Sequence, residues 1–208
     1  MHGFTGNRDT TWTHENGWFW PRQLAQDIKI ARIMTFGYDC DVVKLWGNSG
    51  YLRNRGRDLA KDLLRQRKYC TDRRISFIAH SLGGLVCEQA LVYCTKKGPK
   101  LKKIFQATQA IIFMATPQNI IYLKLKGHRL ATYLRTTRGL SKAGEAALDQ
   151  KSDGLTLVYK QFHRTRSEHG ENIKMVSFYE KKEISGLFVC ILSYAMDCFG
   201  SSSLEPRT

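Results

Sequence analysis

The chain has 208 residues, 42% of them hydrophobic and 11% aromatic, which is enough apolar matter for one globular domain with a sizeable core and excludes a disordered chain. Thirty-three Lys and Arg against 18 Asp and Glu leave a formal charge of +15, scattered through "RNRGR", "RQRK", "KKGPKLKK" and "YLRTTR" rather than gathered in one run. No zinc-finger spacing and no glycine–aromatic strand motif accompanies the charge, so solvated faces account for it and no nucleic-acid partner is expected.

In chain order, "MHGFTGNRDTTW" carries neither a basic leader nor an apolar core segment, so no cleaved secretory signal is expected and an intracellular, reducing compartment follows. A helical pattern covers about 20–30, and a strand is predicted over 31–37, "ARIMTFG". A helix at 55–68 leads to a strand at 74–79, "RISFIA", and then to a tight turn and a helix at 83–96. "CTKKGPKLKK" reads as an exposed connection, 110–115 ("AIIFMA") as a strand, 117–130 as another connection, 143–164 as a helix and 173–179 ("IKMVSFY") as a strand. This is a βαβα rhythm. Its strands are continuously apolar, which fits a mostly parallel sheet covered by helices on both faces, the α/β class. The apolar run "GLFVCILSYAMDCFG" has 13 residues between its glycines, too few to span a bilayer as a helix. The six cysteines, at 40, 70, 87, 94, 190 and 198, form no CxxC and no regular framework, so free buried thiols are expected, with neither metal nor cofactor.

The turn after the strand at 74–79 is the chemically informative stretch. In "FIAHSLGGL" Ser81 stands between a strand and a helix, flanked two residues either side by Ala79 and Gly83, both small. A nucleophile elbow needs small residues there because the serine's backbone is sharply turned. His80 completes the turn, Gly84 lets the helix approach the sheet, and the Leu82 amide at the helix start is a candidate oxyanion donor. The alternative is a serine that caps a helix. The opening "HGFTG" offers a second donor, since Gly3 permits a close turn and leaves the Phe4 amide available.

Together, "HGFTGNRDTTWTHENGWFWPRQL", "ARIMTFGYDCDV", "FIAHSLGGLVCEQAL", "IIFMATP" and "IKMVSFYE" resemble the fungal serine esterases of the lipase-like α/β-hydrolase superfamily. Within it they are similar to the serine active site-containing protein group. The resemblance covers 2–116 nearly continuously and 155–187 more loosely. It implies an α/β-hydrolase domain over 1–187 followed by a divergent, poorly ordered tail at 188–208. It also implies hydrolysis of a carboxylic, lipid-type ester by Ser81, with Leu82 and Phe4 amides as the oxyanion hole. Glu180, where "VSFYE" leaves a strand, takes the place of the triad acid; the alternative is an exposed glutamate before two lysines. For the namesake group the resemblance further implies peripheral association with mitochondrial or endoplasmic-reticulum membranes.

Departures from the pattern set further expectations. Chain order in this fold is Ser, acid, His, yet no histidine follows Glu180. His2 and His80 belong to the two turns and His14 to a polar one, which leaves His128, His163 and His169 in basic settings; Asp39 and Asp41 precede the serine and read as loop residues. After Thr116 and Pro117 the family's motif is lost at Gln118. The chain is therefore expected to be truncated at both ends, lacking the strand before the His-Gly turn and the C-terminal histidine region, with weak folding and little esterase turnover. A truncated gene model and a degenerate paralogue both fit. So do two functions: a serine hydrolase, and a non-catalytic interaction or signalling module on the same scaffold; a third, a basic membrane- or nucleic-acid-binding protein resting on charge alone, would require the basic residues to cluster on one face.

Overall fold

The computed structural model of the chain describes residues 1–3, 6–39, 49–116 and 153–178. A short 3-10 turn at Thr10–Trp12 precedes α1 (Trp20–Asp27), whose second residue is Pro21, a position where the missing N–H costs nothing. Then come α2 (Ser49–Gln66), β1 (Ile75–His80), α3 (Leu82–Lys96), α4 (Pro99–Ala107), β2 (Thr108–Met114), α5 (Asp153–His169) and β3 (Lys174–Phe178).

The three strands pair in chain order, β1-β2-β3, and both pairings are parallel, as expected where each return to the sheet passes through helices. Side chains alternate across the strands, so the registers Phe77↔Ile111↔Met175 and Ala79↔Phe113↔Ser177 put one set on a single face. Phe77, Ala79, Ile111 and Phe113 are buried on that face. α3 packs on β1 and is itself flanked by α2, α4 and α5. It is buried without interruption from Leu82 to Val92, which suits a helix that is apolar on nearly every side. α2 crosses it closely: a Cβ on Gly56 would lie 2.8 Å from the main-chain nitrogen of Ala90.

Four sequence expectations are corrected. Residues 31–37 belong to no ladder among the described residues; their apolar character reports partial burial, whereas a strand requires a hydrogen-bonded neighbour. Beside β1, the Met1 amino group donates to Ile78 O at 2.7 Å and Met1 O accepts from His80 N at 3.0 Å, the bond pattern of a parallel neighbour. "CTKKGPKLKK" is no mere connection, because α4 starts at its Pro99 and buries Leu101, Ile104 and Phe105. α2 starts six residues earlier than predicted, at Ser49. Finally, the second sheet face is not covered throughout: Met114, Val176 and Phe178, in register along it, are exposed. Cys70, Cys87 and Cys94 are free thiols.

Candidate active site

Ser81 joins β1 to α3 with φ 50° and ψ −126°, a conformation that non-glycine residues rarely occupy. Such strain persists only where neighbours over-determine it. Ser81 N donates to Met114 O at 2.8 Å, and Ser81 O accepts from Gly84 N at 3.0 Å and from Thr116 Oγ1 at 3.0 Å. The same Thr116 hydroxyl lies 3.4 Å from Ala79 O, so one buried side chain spans the elbow. Next to it Ala115 also has positive φ, 51°, and its N–H donates to Phe178 O at 2.8 Å. The exits of β1, β2 and β3 thus form one hydrogen-bonded unit around the serine.

Steric contacts explain the small residues. A Cβ on Gly83 would sit 2.4 Å from His2 O, and one on Gly84 2.3 Å from Thr116 Cγ2. A Cβ on Gly3 would fall 2.6 Å from Ser81 Cβ and 3.0 Å from His80 Nδ1, so the His-Gly turn lies directly on the elbow. Ala79 and Leu82 are buried, and Leu82 supplies the first N–H of α3, one of those that a helix leaves without an internal partner.

His2 is a structural part of this turn. Its Nδ1 lies 2.9 Å from Gly3 O and its Nε2 accepts from Tyr38 N at 3.1 Å, which assigns the ring proton to Nδ1. Tyr38 stacks on the imidazole at 4.4 Å and its hydroxyl donates to His2 O at 3.0 Å. Burial, foremost, lowers the His2 pKa and keeps the ring neutral. Both nitrogens are committed, so His2 is no base for Ser81.

Among the described residues, no histidine or carboxylate hydrogen-bonds Ser81 Oγ. His163 and His169 both lie on α5. His163 packs against Tyr159 and Phe162, its Nε2 is buried without a hydrogen-bond partner, and burial lowers its pKa. His169 is exposed beside Glu168. Asp39 is exposed, and its carbonyl accepts from the Tyr51 hydroxyl. Phe4, Asp41, Gln118, His128, Glu180 and the tail at 188–208 lie outside the described residues. No group of three or more His, Cys, Asp or Glu among the described residues could hold a metal ion, and no helix there is long and apolar enough to cross a membrane. Sequence reasoning missed Thr116 and Tyr38: the first stands two residues past a strand and the second in a loop, and neither position forms a pattern in one dimension.

The family model described as "Putative serine esterase (DUF676)" matches residues 1–118, from the His-Gly turn through the elbow and past Thr116. The chain belongs to that family. Protein SERAC1 of Bos taurus and of Homo sapiens are each similar to this esterase-family chain at 26% identity over 164 residues, 77% of this chain and 24% of theirs. Protein SERAC1 of Danio rerio is 30% identical over 106 residues, 48% of this chain and 16% of its own. The chain thus spans about a quarter of the length of the mammalian relatives it matches. No solved structure matches it significantly.

Proposed function

We propose that this chain is the serine-hydrolase domain of a carboxylic esterase, with a lipid ester as substrate class and Ser81 as nucleophile. The observation that carries the reading is the backbone of Ser81, φ 50° and ψ −126°, held at a strand-to-helix junction by Met114, Gly84 and Thr116. A serine that only capped a helix would have an extended backbone and a hydroxyl bonded to the next turn; Ser81 has neither. The strained conformation instead presents Oγ at the tip of the turn.

In the reaction, Ser81 Oγ attacks the ester carbonyl carbon while a histidine takes its proton. The oxyanion that forms is held by the Leu82 N–H at the start of α3 and by the Phe4 N–H. The alkoxide then leaves with the proton, and water hydrolyses the acyl-serine by the reverse transfers. Glu180 fits the role of the acid that orients the histidine. The second reading, a non-catalytic module, draws on the absence of any histidine at Ser81 Oγ among the described residues. A fluorophosphonate probe with intact-mass detection, followed by a short-chain p-nitrophenyl ester assay, separates the two. Labelling and turnover that disappear in Ser81→Ala support the hydrolase. Labelling that survives Ser81→Ala removes Ser81 from the role, and a folded chain with neither signal supports the module.

A further inference from the structure

Arginines from separate stretches of the chain meet where α2 hands over to β1. Arg67, the first residue past α2, is buried, and its Nη2 donates to Thr71 O at 2.7 Å and to Arg73 O. Arg32 Nη2 donates to Gln66 O, the last carbonyl of α2, at 2.8 Å, and Arg73 Nη2 donates back to Ile30 O. Guanidinium groups thus stitch the segment 30–32 to the connection 67–73.

The main-chain carbonyls explain why donors stand here, but not why the donors are charged. An asparagine or glutamine amide would satisfy the same carbonyls without taking a cation out of water. Burial, foremost, lowers the Arg67 pKa; Arg32 and Arg73 lower it further, while Cys70 and Asp72 act the other way. Among the described residues none of these guanidiniums forms an ion pair with a carboxylate. On Arg67, Nε and Nη1 donate to nothing among the described residues and are not sealed from water, so that edge of the fork faces outward. Against the three positive charges stand Asp72 and the negative end of α2, about half a charge, which leaves a surplus of roughly 1.5. A phosphate group carries about that much negative charge at pH 7.

We propose that Arg32, Arg67 and Arg73 form a binding site for a phosphate or phosphomonoester dianion, which takes the open edge of Arg67 with two oxygens and the remaining N–H groups of the other two arginines. The chemistry selects that ligand. A guanidinium fork matches two oxygens of a phosphate, and the tetrahedral group has further oxygens for the neighbouring cations. A carboxylate has two oxygens and a single charge, enough for one fork and short of the surplus. The site is independent of the esterase reading: it lies before the first residue of β1, whereas Ser81 follows its last. A bound dianion holds the entry to β1 against the segment 30–32, so it stabilises the fold in proportion to its occupancy.

The test is calorimetric titration of the full chain with inorganic phosphate, in chloride buffer of matched ionic strength. Saturable binding is expected, with a melting temperature that rises as phosphate is added. A titration with glycerol 3-phosphate distinguishes the two sources of the group: comparable or tighter binding assigns an esterified phosphate, and much weaker binding assigns the free ion. Arg32 and Arg73 are exposed, and Arg32→Gln and Arg73→Gln each keep an amide for the carbonyl, so these variants should fold and should each bind about tenfold more weakly or worse. Arg67→Lys keeps the charge and loses the fork, and it should weaken binding as well. Lys160→Gln removes the same charge from an exposed position on α5 and should leave binding unchanged. Ser81→Ala should bind as the wild type does, which keeps this result separate from the catalytic one. No saturable binding of inorganic phosphate, an equal loss in Lys160→Gln, or wild-type affinity in either Arg32→Gln or Arg73→Gln would overturn the proposal.

Discussion

Glu88 lies on α3, seven residues past the nucleophile, fully buried, and neither of its carboxylate oxygens has a hydrogen-bond partner. Burial raises its pKa from 4.5 to about 8, so the carboxyl is held as the neutral acid near pH 7. In the unfolded chain the group ionises at its ordinary value, so between the two pKa values the native state binds one proton more than the unfolded state. Stability is therefore complete below about pH 4.5 and is lost as pH rises towards about 8. At about 1.4 kcal/mol per pH unit the full loss is about 5 kcal/mol, of which about 3 kcal/mol has gone by pH 7. Glu88→Gln keeps the shape and removes the titration; its buried amide adds a constant offset that does not vary with pH. Urea unfolding followed by fluorescence of the four tryptophans, from about pH 4.5 to about pH 8.5, gives stability against pH for both chains. The wild-type stability minus that of the variant should fall steeply across this window, because the opposing contributions of His2 and the Met1 amino group are common to both chains and cancel. Parallel profiles would show that Glu88 does not titrate in this window and would refute the buried neutral acid.

Other outcomes follow from the same geometry. Thr116→Val should cost about 1–3 kcal/mol and slow fluorophosphonate labelling, whereas Thr116→Ser should retain both, because the hydroxyl bond to Ser81 O is what the elbow uses; thermal melts and labelling rates check it. Gly83→Val should cost roughly 3 kcal/mol or more, since its Cβ would meet His2 O at 2.4 Å, and an unchanged melting temperature would contradict that contact. His2 stays neutral when folded and takes up a proton when unfolded, so its contribution weakens as pH falls below 6.5; His2→Ala should flatten the acid side of the stability profile. Burial pushes the Cys94 thiol up to about 12 and the Cys87 thiol well above its ordinary value, so iodoacetamide should reach the half-buried Cys70 first and those two only after denaturation, as read by peptide mass spectrometry.

The strands of the sheet were legible because their apolar runs are short, β-branched and bounded by turns, and the elbow because a sharp turn admits only small neighbours. The α/β class followed from the alternation of those runs with helical patterns. α4 escaped notice because Lys100, Lys102 and Lys103 masked Leu101, Ile104 and Phe105, although Gly98-Pro99 followed by apolar residues at that spacing is a helix start. Residues 31–37 carried the composition of a strand, but composition cannot say whether a backbone finds a ladder. Thr116 reaches Ser81 from 35 positions away and Tyr38 reaches His2 from 36, so those roles exist only once the chain has folded.

The order of the sheet has a consequence for how the chain leaves the ribosome. Ile112 pairs with Ile78, about 34 positions upstream, but with Val176 only about 64 positions later. At roughly 5–20 residues per second, β3 emerges several seconds after β2. In that interval β1, α3, α4 and β2 can close, with Met114 and Thr116 already on the elbow, while Ala115 still lacks its acceptor on Phe178. The nascent chain thus presents a shaped nucleophile turn beside an open strand edge, a template for mispairing with a neighbouring chain. Docking of β3 covers that edge and gives Ala115 its acceptor, so slower docking lengthens the interval in which mispairing competes.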